Sequence, residues 1–176
     1  MEAEDKSNNK VSANNYEMST IKNMNSDLAV SNGSFLYCKS TSTSSLSQLN
    51  IFVPLLNSFA LKYNLYVGFV PSIVTDTTDL RPYKLDFYLT MNGDVESGSP
   101  IFTKLNASPV ITNPTALTKV LVAENLEFPS CNINHDSNAP SRFQLKIRNM
   151  GGNTVAEIKN YNRSMRIDYI LLEPVE

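Results

Sequence analysis

Apolar and polar residues alternate with a period of two in several separate stretches of this chain. The clearest stretch is RFQLKIRNM (142–150), in which Phe143, Leu145 and Ile147 alternate with polar residues. Successive side chains of a β-strand point to opposite faces, so this pattern predicts a strand with one buried face and one solvated face. The same reasoning predicts strands in seven further segments: 34–40, 46–56, 63–71, 83–91, 117–129, 154–161 and 165–172.

The inward faces of these strands predict the hydrophobic core. Burying one large apolar side chain stabilises a fold by about 1.5–3 kcal/mol, so these residues should dominate the stability of the protein. The predicted core residues are Leu49, Ile51, Val53, Leu65, Val67, Phe69, Leu85, Phe87, Leu89, Phe143, Leu145, Ile147, Ile167, Tyr169 and Leu171.

About eight strands separated by polar turns, without an amphipathic helix longer than two turns, predict an all-β fold. Half-buried strands favour antiparallel sheets packed face to face, and a β-sandwich of jelly-roll type closes them economically. Residues 1–26 are rich in Asn and Ser and have little apolar periodicity. We expect this segment to be a flexible leader, holding at most one short strand or helical turn, and residues 27–176 to be the sandwich domain.

The charge and hydropathy of the chain argue against several classes of partner. The formal net charge is -2 and there is no basic arm, so we expect no nucleic-acid partner and no anionic-membrane partner. No apolar run approaches the roughly 20 residues of a membrane span. The chain opens with MEAED, which as given is not an export signal. Abundant Asn, Ser and Thr are common in extracytoplasmic β-proteins.

No group of residues in the sequence has the spacing of a catalytic or zinc site. The two cysteines, Cys38 and Cys131, do not form a C-x-x-C pair, and His135 is the single histidine. We expect two buried thiols, with a single disulfide between them as the alternative. No G-x-S-x-G nucleophile elbow and no phosphate-binding glycine loop is found. The sequence therefore predicts a protein that is not an enzyme.

Tyrosines are the candidates for a sugar-binding surface, because the chain contains no tryptophan. An aromatic ring can pack against the C–H face of a pyranose, and Tyr83, Tyr88 and Tyr161 could supply such rings. Tyr88 shares a strand face with Lys84 and Asp86, which makes a polar and aromatic strip. We therefore predict Tyr83, Asp86 and Tyr88 as ligand-binding residues. The alternative interpretation is an ordinary solvated sheet face.

The final strand combines an apolar run with two adjacent charges on one face. The odd-numbered residues from Met165 to Leu171 predict an inward apolar face, whereas Arg166 and Asp168 fall on the other face. An ion pair between these two residues is one interpretation, with Asp168 in a structural role. A metal or ligand site at Asp168 is the other.

Four phrases of the chain resemble a β-sandwich module of surface lipoproteins from Bacteroidetes-type Gram-negative bacteria, which often follows fasciclin-like domains. The phrases are SNGSFLYCKSTSTSS, KYNLYVGFVP, LEFPSCN and RSMRIDYILLEPV, and the resemblance covers residues 28–175. It implies a galactose-binding-like or jelly-roll sandwich at the bacterial cell surface, attached to the outer membrane only through a lipid anchor outside this chain. The implied role is glycan binding or adhesion, with a glycan or a surface protein as the partner. The alternative role is a structural spacer or protein-interaction module of a larger surface lipoprotein.

The phrase IDYI is also similar to the closing strand of carbohydrate-binding modules of families 6 and 35. In those modules the aspartate joins a structural calcium site with an acidic residue near the N-terminus. The resemblance implies such a role for Asp168, with Glu2 or Glu4 as the second acid. Beyond this calcium, we expect no cofactor.

Overall fold

The computed structural model describes residues 11–23, 27–42, 46–54, 62–72, 80–90, 102–127 and 142–175. Within these ranges the chain forms strands, a short α-helix and a 3-10 turn at Ser31–Gly33. The elements are β1 (Val11–Asn14), β2 (Tyr16–Lys22), β3 (Ser34–Ser40), β4 (Ser47–Pro54), β5 (Lys62–Phe69), β6 (Lys84–Thr90), β7 (Thr103–Lys104), β8 (Val110–Ile111), β9 (Thr118–Glu127), β10 (Arg142–Asn149), α1 (Val155–Asn160) and β11 (Met165–Pro174).

The strands form two antiparallel sheets. The six-stranded sheet has the order β1-β4-β10-β6-β7, with β8 also paired to β6, and the five-stranded sheet has the order β2-β3-β11-β5-β9. The buried residues of both sheets form one hydrophobic cluster between them. This architecture confirms the predicted all-β antiparallel sandwich. No helix in the described part of the chain is long and apolar enough to cross a membrane.

Residues 11–22 lie inside the segment predicted as a flexible leader, yet they form one strand in each sheet. β1 pairs with β4 and β2 pairs with β3. Asn15, whose φ of 59° is left-handed, connects the two strands, and asparagine tolerates this conformation better than most residues. Val11, Ala13 and Met18 pack against the core. Residues 11–22 are therefore part of the sandwich. Their small and scattered apolar side chains carry a burial signal too weak to stand out from the Asn-rich sequence.

The predicted core of four strands is confirmed residue by residue. All twelve of the residues predicted to face inward from β4, β5, β6 and β10 are buried. The rings of Phe69 and Phe87 pack with their centroids 6.3 Å apart, which joins the two sheets at the centre of the core. Cys38 is also buried in this core as a thiol. Cys131 and His135 lie outside the described residues.

Strand β11 contains an irregularity that the alternating pattern does not predict. Ile167 pairs with Phe69 and Tyr169 pairs with Gly68, which is the next residue of β5, so Asp168 is an extra residue in β11. This is a β-bulge, in which two residues of one strand oppose one residue of its partner.

The bulge reverses the two faces of the strand beyond it. Met165 and Ile167 point into the core as predicted, but after the bulge it is Ile170 that is buried. Tyr169 and Leu171 point outward, and Leu171 is 38% exposed. Their assignment to the core is therefore wrong, because one inserted residue exchanges inward and outward positions in a structure with a period of two.

The segment predicted as a strand at residues 154–161 is the helix α1. Thr154 caps its N-terminus, where the hydroxyl oxygen accepts a hydrogen bond from the Glu157 amide at 3.2 Å. The spacing Thr-x-x-Glu is the sequence signature of a helix start. A salt bridge of 2.6 Å between Glu157 and Lys84 then fixes the helix to β6. The cap and the salt bridge thus favour a helix over the strand that the weak alternation of this segment predicts.

Candidate functional site

Tyr83, one of the three predicted ligand-binding residues, is part of the core. Its side chain is 2% exposed. The hydroxyl donates a hydrogen bond to the Val70 carbonyl at 2.9 Å and accepts one from Nη1 of Arg166 at 3.3 Å. Burial raises the pKa of this phenol, which keeps it neutral. The structure therefore places the Tyr83 ring where a ligand cannot stack on it, because the strand face that begins with Tyr83 is the inward one.

Asp86 lies on the outward face of β6, as predicted, but is only 3% exposed. Lys104 forms a salt bridge of 2.9 Å with one carboxylate oxygen, and Asn106 donates a hydrogen bond of 3.0 Å to the other. The side-chain oxygen of Asn106 also accepts from the Phe87 amide at 2.7 Å. Asp86 therefore ties the connection after β7 to the sheet, and both of its oxygens are occupied.

Tyr88 is half-buried on the same face, beside two cations. The guanidinium carbon of Arg148 lies 5.1 Å from the centre of the Tyr88 ring. The amine of Lys146 lies 3.4 Å from the centre of the Phe102 ring. The predicted strip is thus a surface on which cations cover aromatic rings. A ligand-binding role for Tyr88 stays a prediction.

A groove of about 180 Å³ opens on the outward face of the five-stranded sheet, at the bulge of β11. Its lining includes residues of three neighbouring strands and of the segment before the 3-10 turn. They include Ala29, Gly68, Lys119, Asp168 and Tyr169.

The floor of the groove depends on a glycine. The ring of Tyr169 lies across Gly68, so closely that a Cβ atom at Gly68 would be 2.5 Å from Cε1 of the ring. No other residue type leaves room for the ring in this position. Tyr169 remains half-exposed. Burial, and secondarily the nearby Asp168, raise the pKa of its phenol, so the hydroxyl is neutral.

Asp168 is held against the groove by the backbone of the 3-10 turn at Ser31–Gly33. It is 3% exposed, and its Oδ2 accepts a hydrogen bond of 3.0 Å from the Ser31 amide. Arg166 points elsewhere: besides the bond to Tyr83, its guanidinium lies 5.0 Å from the centre of the Tyr37 ring. The two neighbours are thus fixed by different partners, where the sequence suggested an ion pair between them.

The structure gives no independent support for the calcium site implied at Asp168. Calcium takes six to eight oxygen ligands, but no group of three or more His, Cys, Asp or Glu side chains that could hold a metal occurs among them. Glu2 and Glu4, the acids implied by the resemblance, lie outside the described residues. A metal role for Asp168 therefore stays a prediction.

Lys119 lies at the edge of the groove. It pairs with Gly68 in the register of β9 and β5, as Tyr169 does in the register of β11 and β5. Its amine lies 4.0 Å from the centre of the Tyr66 ring and 3.7 Å from a carboxylate oxygen of Glu173. One row across three strands thus places the amine of Lys119, the glycine backbone of Gly68 and the ring of Tyr169 next to one another.

The sequence pattern did not reveal this groove, because it placed Tyr169 in the core. One signal could have found it. Gly68 interrupts the strongest apolar strand of the chain, and a glycine inside a strand marks a bulge or a close approach of other atoms.

Comparisons with known proteins identify a fold but no family. No family model matches the sequence, and no curated protein matches it. Among solved structures, a family 35 carbohydrate-binding module from Clostridium thermocellum superimposes with a TM-score of 0.50 at 8% identity, covering 99% of this chain and 95% of the other. At this identity the likeness shows the fold alone, a β-sandwich over nearly the whole of both chains.

Two further structures show a weaker likeness. An exo-β-1,3-galactanase from Phanerochaete chrysosporium in complex with β-1,3-galactotriose has a TM-score of 0.44 at 12% identity, covering 98% of this chain and 28% of the other. The module TmCBM61, in complex with β-1,4-galactotriose, has a TM-score of 0.42 at 10% identity, covering 93% and 87%.

Proposed function

We propose that this chain is a non-catalytic carbohydrate-binding module that holds a sugar unit in the groove beside Tyr169. The observation that carries the proposal is the position of the Tyr169 ring, which lies across Gly68 in a groove that Asp168 and Lys119 also line. The sandwich fold, shared with the family 35 carbohydrate-binding module, supports it as an analogy.

The three side chains complement the chemistry of a sugar. An aromatic ring that is half-exposed offers a flat apolar surface to the C–H face of a pyranose. A carboxylate accepts hydrogen bonds from hydroxyls and an ammonium donates them, and both bonds are stronger for being charge-assisted. The Ser31 amide, 3.0 Å from Oδ2, orients the carboxylate of Asp168 before any ligand arrives. Such preorganisation lowers the entropic cost of binding.

The size of the groove sets the expected mode of binding. Its volume of about 180 Å³ is below the roughly 300 Å³ at which ordinary small-molecule sites begin. We therefore expect it to hold one sugar unit, with the rest of a glycan lying over the sheet. Binding should be modest for a single site.

The cellular setting is part of the same proposal. The resemblance to surface lipoprotein modules and the Asn-, Ser- and Thr-rich composition support an extracytoplasmic location on a bacterial cell surface. Attachment would then be through a lipid anchor outside this chain, and the role would be adhesion to, or capture of, glycans.

The decisive experiment is calorimetric titration with a panel of neutral trisaccharides built from galactose, xylose, mannose and glucose. We expect at least one to bind, and Tyr169→Ala to weaken it at least tenfold. The matched control is Tyr88→Ala, which removes the predicted tyrosine of the other sheet and should change affinity less than twofold. The reverse result would move the site to the six-stranded sheet. No binding by any glycan would overturn the proposed function.

A protein-interaction or spacer module is the second candidate, and one observation favours it. Leu121, Tyr66 and Leu171 form a row across three strands next to the groove, and both leucines are exposed. An apolar row on a sheet face is typical of a protein contact. Self-association in analytical ultracentrifugation, abolished by Leu121→Ser and unaffected by Tyr169→Ala, would support this role.

A further inference from the structure

The outward face of the six-stranded sheet carries a second constellation, built on cross-strand rows. Asn50, Lys146, Tyr88 and Lys104 occupy one row across β4, β10, β6 and β7. Arg148 lies two residues beyond Lys146 on the same face, so the two cations start about 7 Å apart. Because the inner faces of the sheets pack together, this surface and the Tyr169 groove lie on opposite sides of the sandwich.

The charges of this face separate into those paired with a carboxylate and those in contact with aromatic side chains. Lys84 is bonded to Glu157 and Lys104 is bonded to Asp86. Lys146 and Arg148 instead contact the rings of Phe102 and Tyr88. Within the described ranges, neither of these two cations contacts a carboxylate.

The amine of Lys146 lies in an environment that disfavours its positive charge. Partial burial, and secondarily the charge of Arg148, lower the pKa of its amine. Two like charges near one another on a partly covered surface destabilise each other. A negative group placed between them would offset the repulsion and favour the charged form of the amine, so the pair of cations is suited to an anion.

The neighbouring amide indicates what else the ligand must carry. The Oδ1 atom of Asn50 is buried and has no hydrogen-bond partner among the described residues. Asn50 is directly opposite Lys146 in the sheet register. A buried amide atom without a partner is costly, whether the group presents its oxygen there or, turned over, its nitrogen. A hydroxyl satisfies it in either orientation, since a hydroxyl both donates and accepts.

We infer that this face is a second binding site, specific for an acidic saccharide whose negative group lies between Lys146 and Arg148. The amide of Asn50 bonds a hydroxyl of the same ligand, and the Tyr88 ring flanks the sugar. The anion requirement follows from the two cations and does not depend on the Tyr169 groove. That the ligand is a saccharide rests partly on the proposed function. Carboxylated and sulfated sugars share the required chemistry.

The test compares ligands that differ only in charge. Trigalacturonate, its methyl ester and a sulfated galactotriose are titrated into the full chain at 50 and 500 mM NaCl. We expect the two acidic sugars to bind at least tenfold more tightly than the ester at low salt, and high salt to remove the difference. In NMR, trigalacturonate should raise the pKa of Lys146. Comparing the affinities of trigalacturonate and the sulfated galactotriose shows which acidic group the site prefers.

Variants then locate the site. Lys146→Gln with Arg148→Gln should lose at least tenfold in affinity for trigalacturonate, whereas Lys146→Arg with Arg148→Lys keeps the charges and should retain it. Lys62→Gln removes one charge from the other sheet and is the matched control. Tyr169→Ala should leave trigalacturonate binding unchanged.

Four outcomes would overturn the inference. The first two are equal binding of trigalacturonate and its methyl ester, and retention of trigalacturonate binding in a folded Lys146→Gln/Arg148→Gln variant. The other two are loss of trigalacturonate binding in Tyr169→Ala, and equal binding of a DNA oligonucleotide, which would show a general polyanion surface. The first two leave the proposed function standing if a neutral sugar still binds in the groove. Failure of the neutral panel alone would sink the proposed function and leave this site in place.

Discussion

The central strands of the two sheets, β10 and β11, have the same position in the sandwich but different regularity. Strand β10 pairs with β4 and β6 without interruption. Strand β11 pairs with β3 and β5 and contains the bulge at Asp168. The regular strand has a buried face along its whole described length. The bulged strand changes face midway and sends Tyr169 to the surface.

The difference shows how a rigid fold makes room for a binding site. Because β10 alternates strictly, all of its inward side chains pack in the core, and its outward face stays flat. The extra residue in β11 interrupts the regular pairing, and it brings the buried carboxylate of Asp168 beside the partly exposed ring of Tyr169. Bulges often re-aim side chains next to functional sites. The regular strand supplies the stability that this irregularity requires.

The largest expected effect is on the regular strand. Phe143→Ala should lower the free energy of unfolding by about 3–5 kcal/mol, because it removes a fully buried ring and leaves a cavity. Phe143→Leu, which keeps most of the volume, should lose less than half as much. Urea denaturation measures both. A loss below about 1 kcal/mol for the alanine variant would show that the inward face of β10 is wrongly assigned.

A smaller effect is expected at the bulge itself. Asp168→Ala should lower stability by about 2 kcal/mol, because the Ser31 amide loses the acceptor that now lies 3.0 Å away. Asp168→Asn keeps an acceptor oxygen and should lose less. Thermal melting with calcium and with chelator tests the other role of this residue. A melting temperature that rises with calcium in the wild type, and not in the alanine variant, would make Asp168 a metal ligand.

Gly68→Ala should cost about 1 kcal/mol, at the low end for overpacking, because the displaced Tyr169 ring can swing toward solvent. The clash is with the ring alone, since the three nearest atoms to the added Cβ all belong to it. Combining Gly68→Ala with Tyr169→Ala should therefore recover most of the lost stability. Neutral-sugar affinity should fall in Gly68→Ala as in Tyr169→Ala. Additive costs in the double variant would contradict the stacked arrangement.

The smallest effect separates the two strands most sharply. Leu171→Ala should cost less than about 1 kcal/mol, because the bulge leaves this side chain 38% exposed. Ile170→Ala, one residue earlier and buried, should cost several times as much. If Leu171→Ala lowers the free energy of unfolding more than Ile170→Ala does, the bulge is absent in solution and the strand alternates without interruption.

Much of the sandwich could be predicted because its regular strands obey one rule. The alternation in β4, β5, β6 and β10 determined which residues face the core, and their antiparallel pairing followed. The errors have physical causes of their own. The Thr154 cap makes a helix of a segment that alternates weakly, and residues 11–22 gain their strand structure from pairing with β3 and β4.

The candidate site could be predicted only in part. Asp168 was singled out as an unusual charge, and Asp86 and Tyr88 were placed correctly on an outward face. Tyr83 was predicted to bind a ligand, but it is a core residue whose hydroxyl bonds Val70 and Arg166. Tyr169 was missed because a bulge depends on the partner strand, and no pattern within one strand reports an extra residue in its pairing.

The connection at Asn15 has a further consequence. One short segment closes the edge of both sheets, with β1 against β4 and β2 against β3. A chain that began at residue 27 would open both edges on the same side, and open edges recruit strands from other molecules. We therefore expect such a shortened chain to form exchanged dimers or aggregates, and a separate peptide of residues 1–26 to restore the monomer. Residues 1–26, whose sequence suggests a dispensable leader, would then be the segment that prevents strand pairing between molecules.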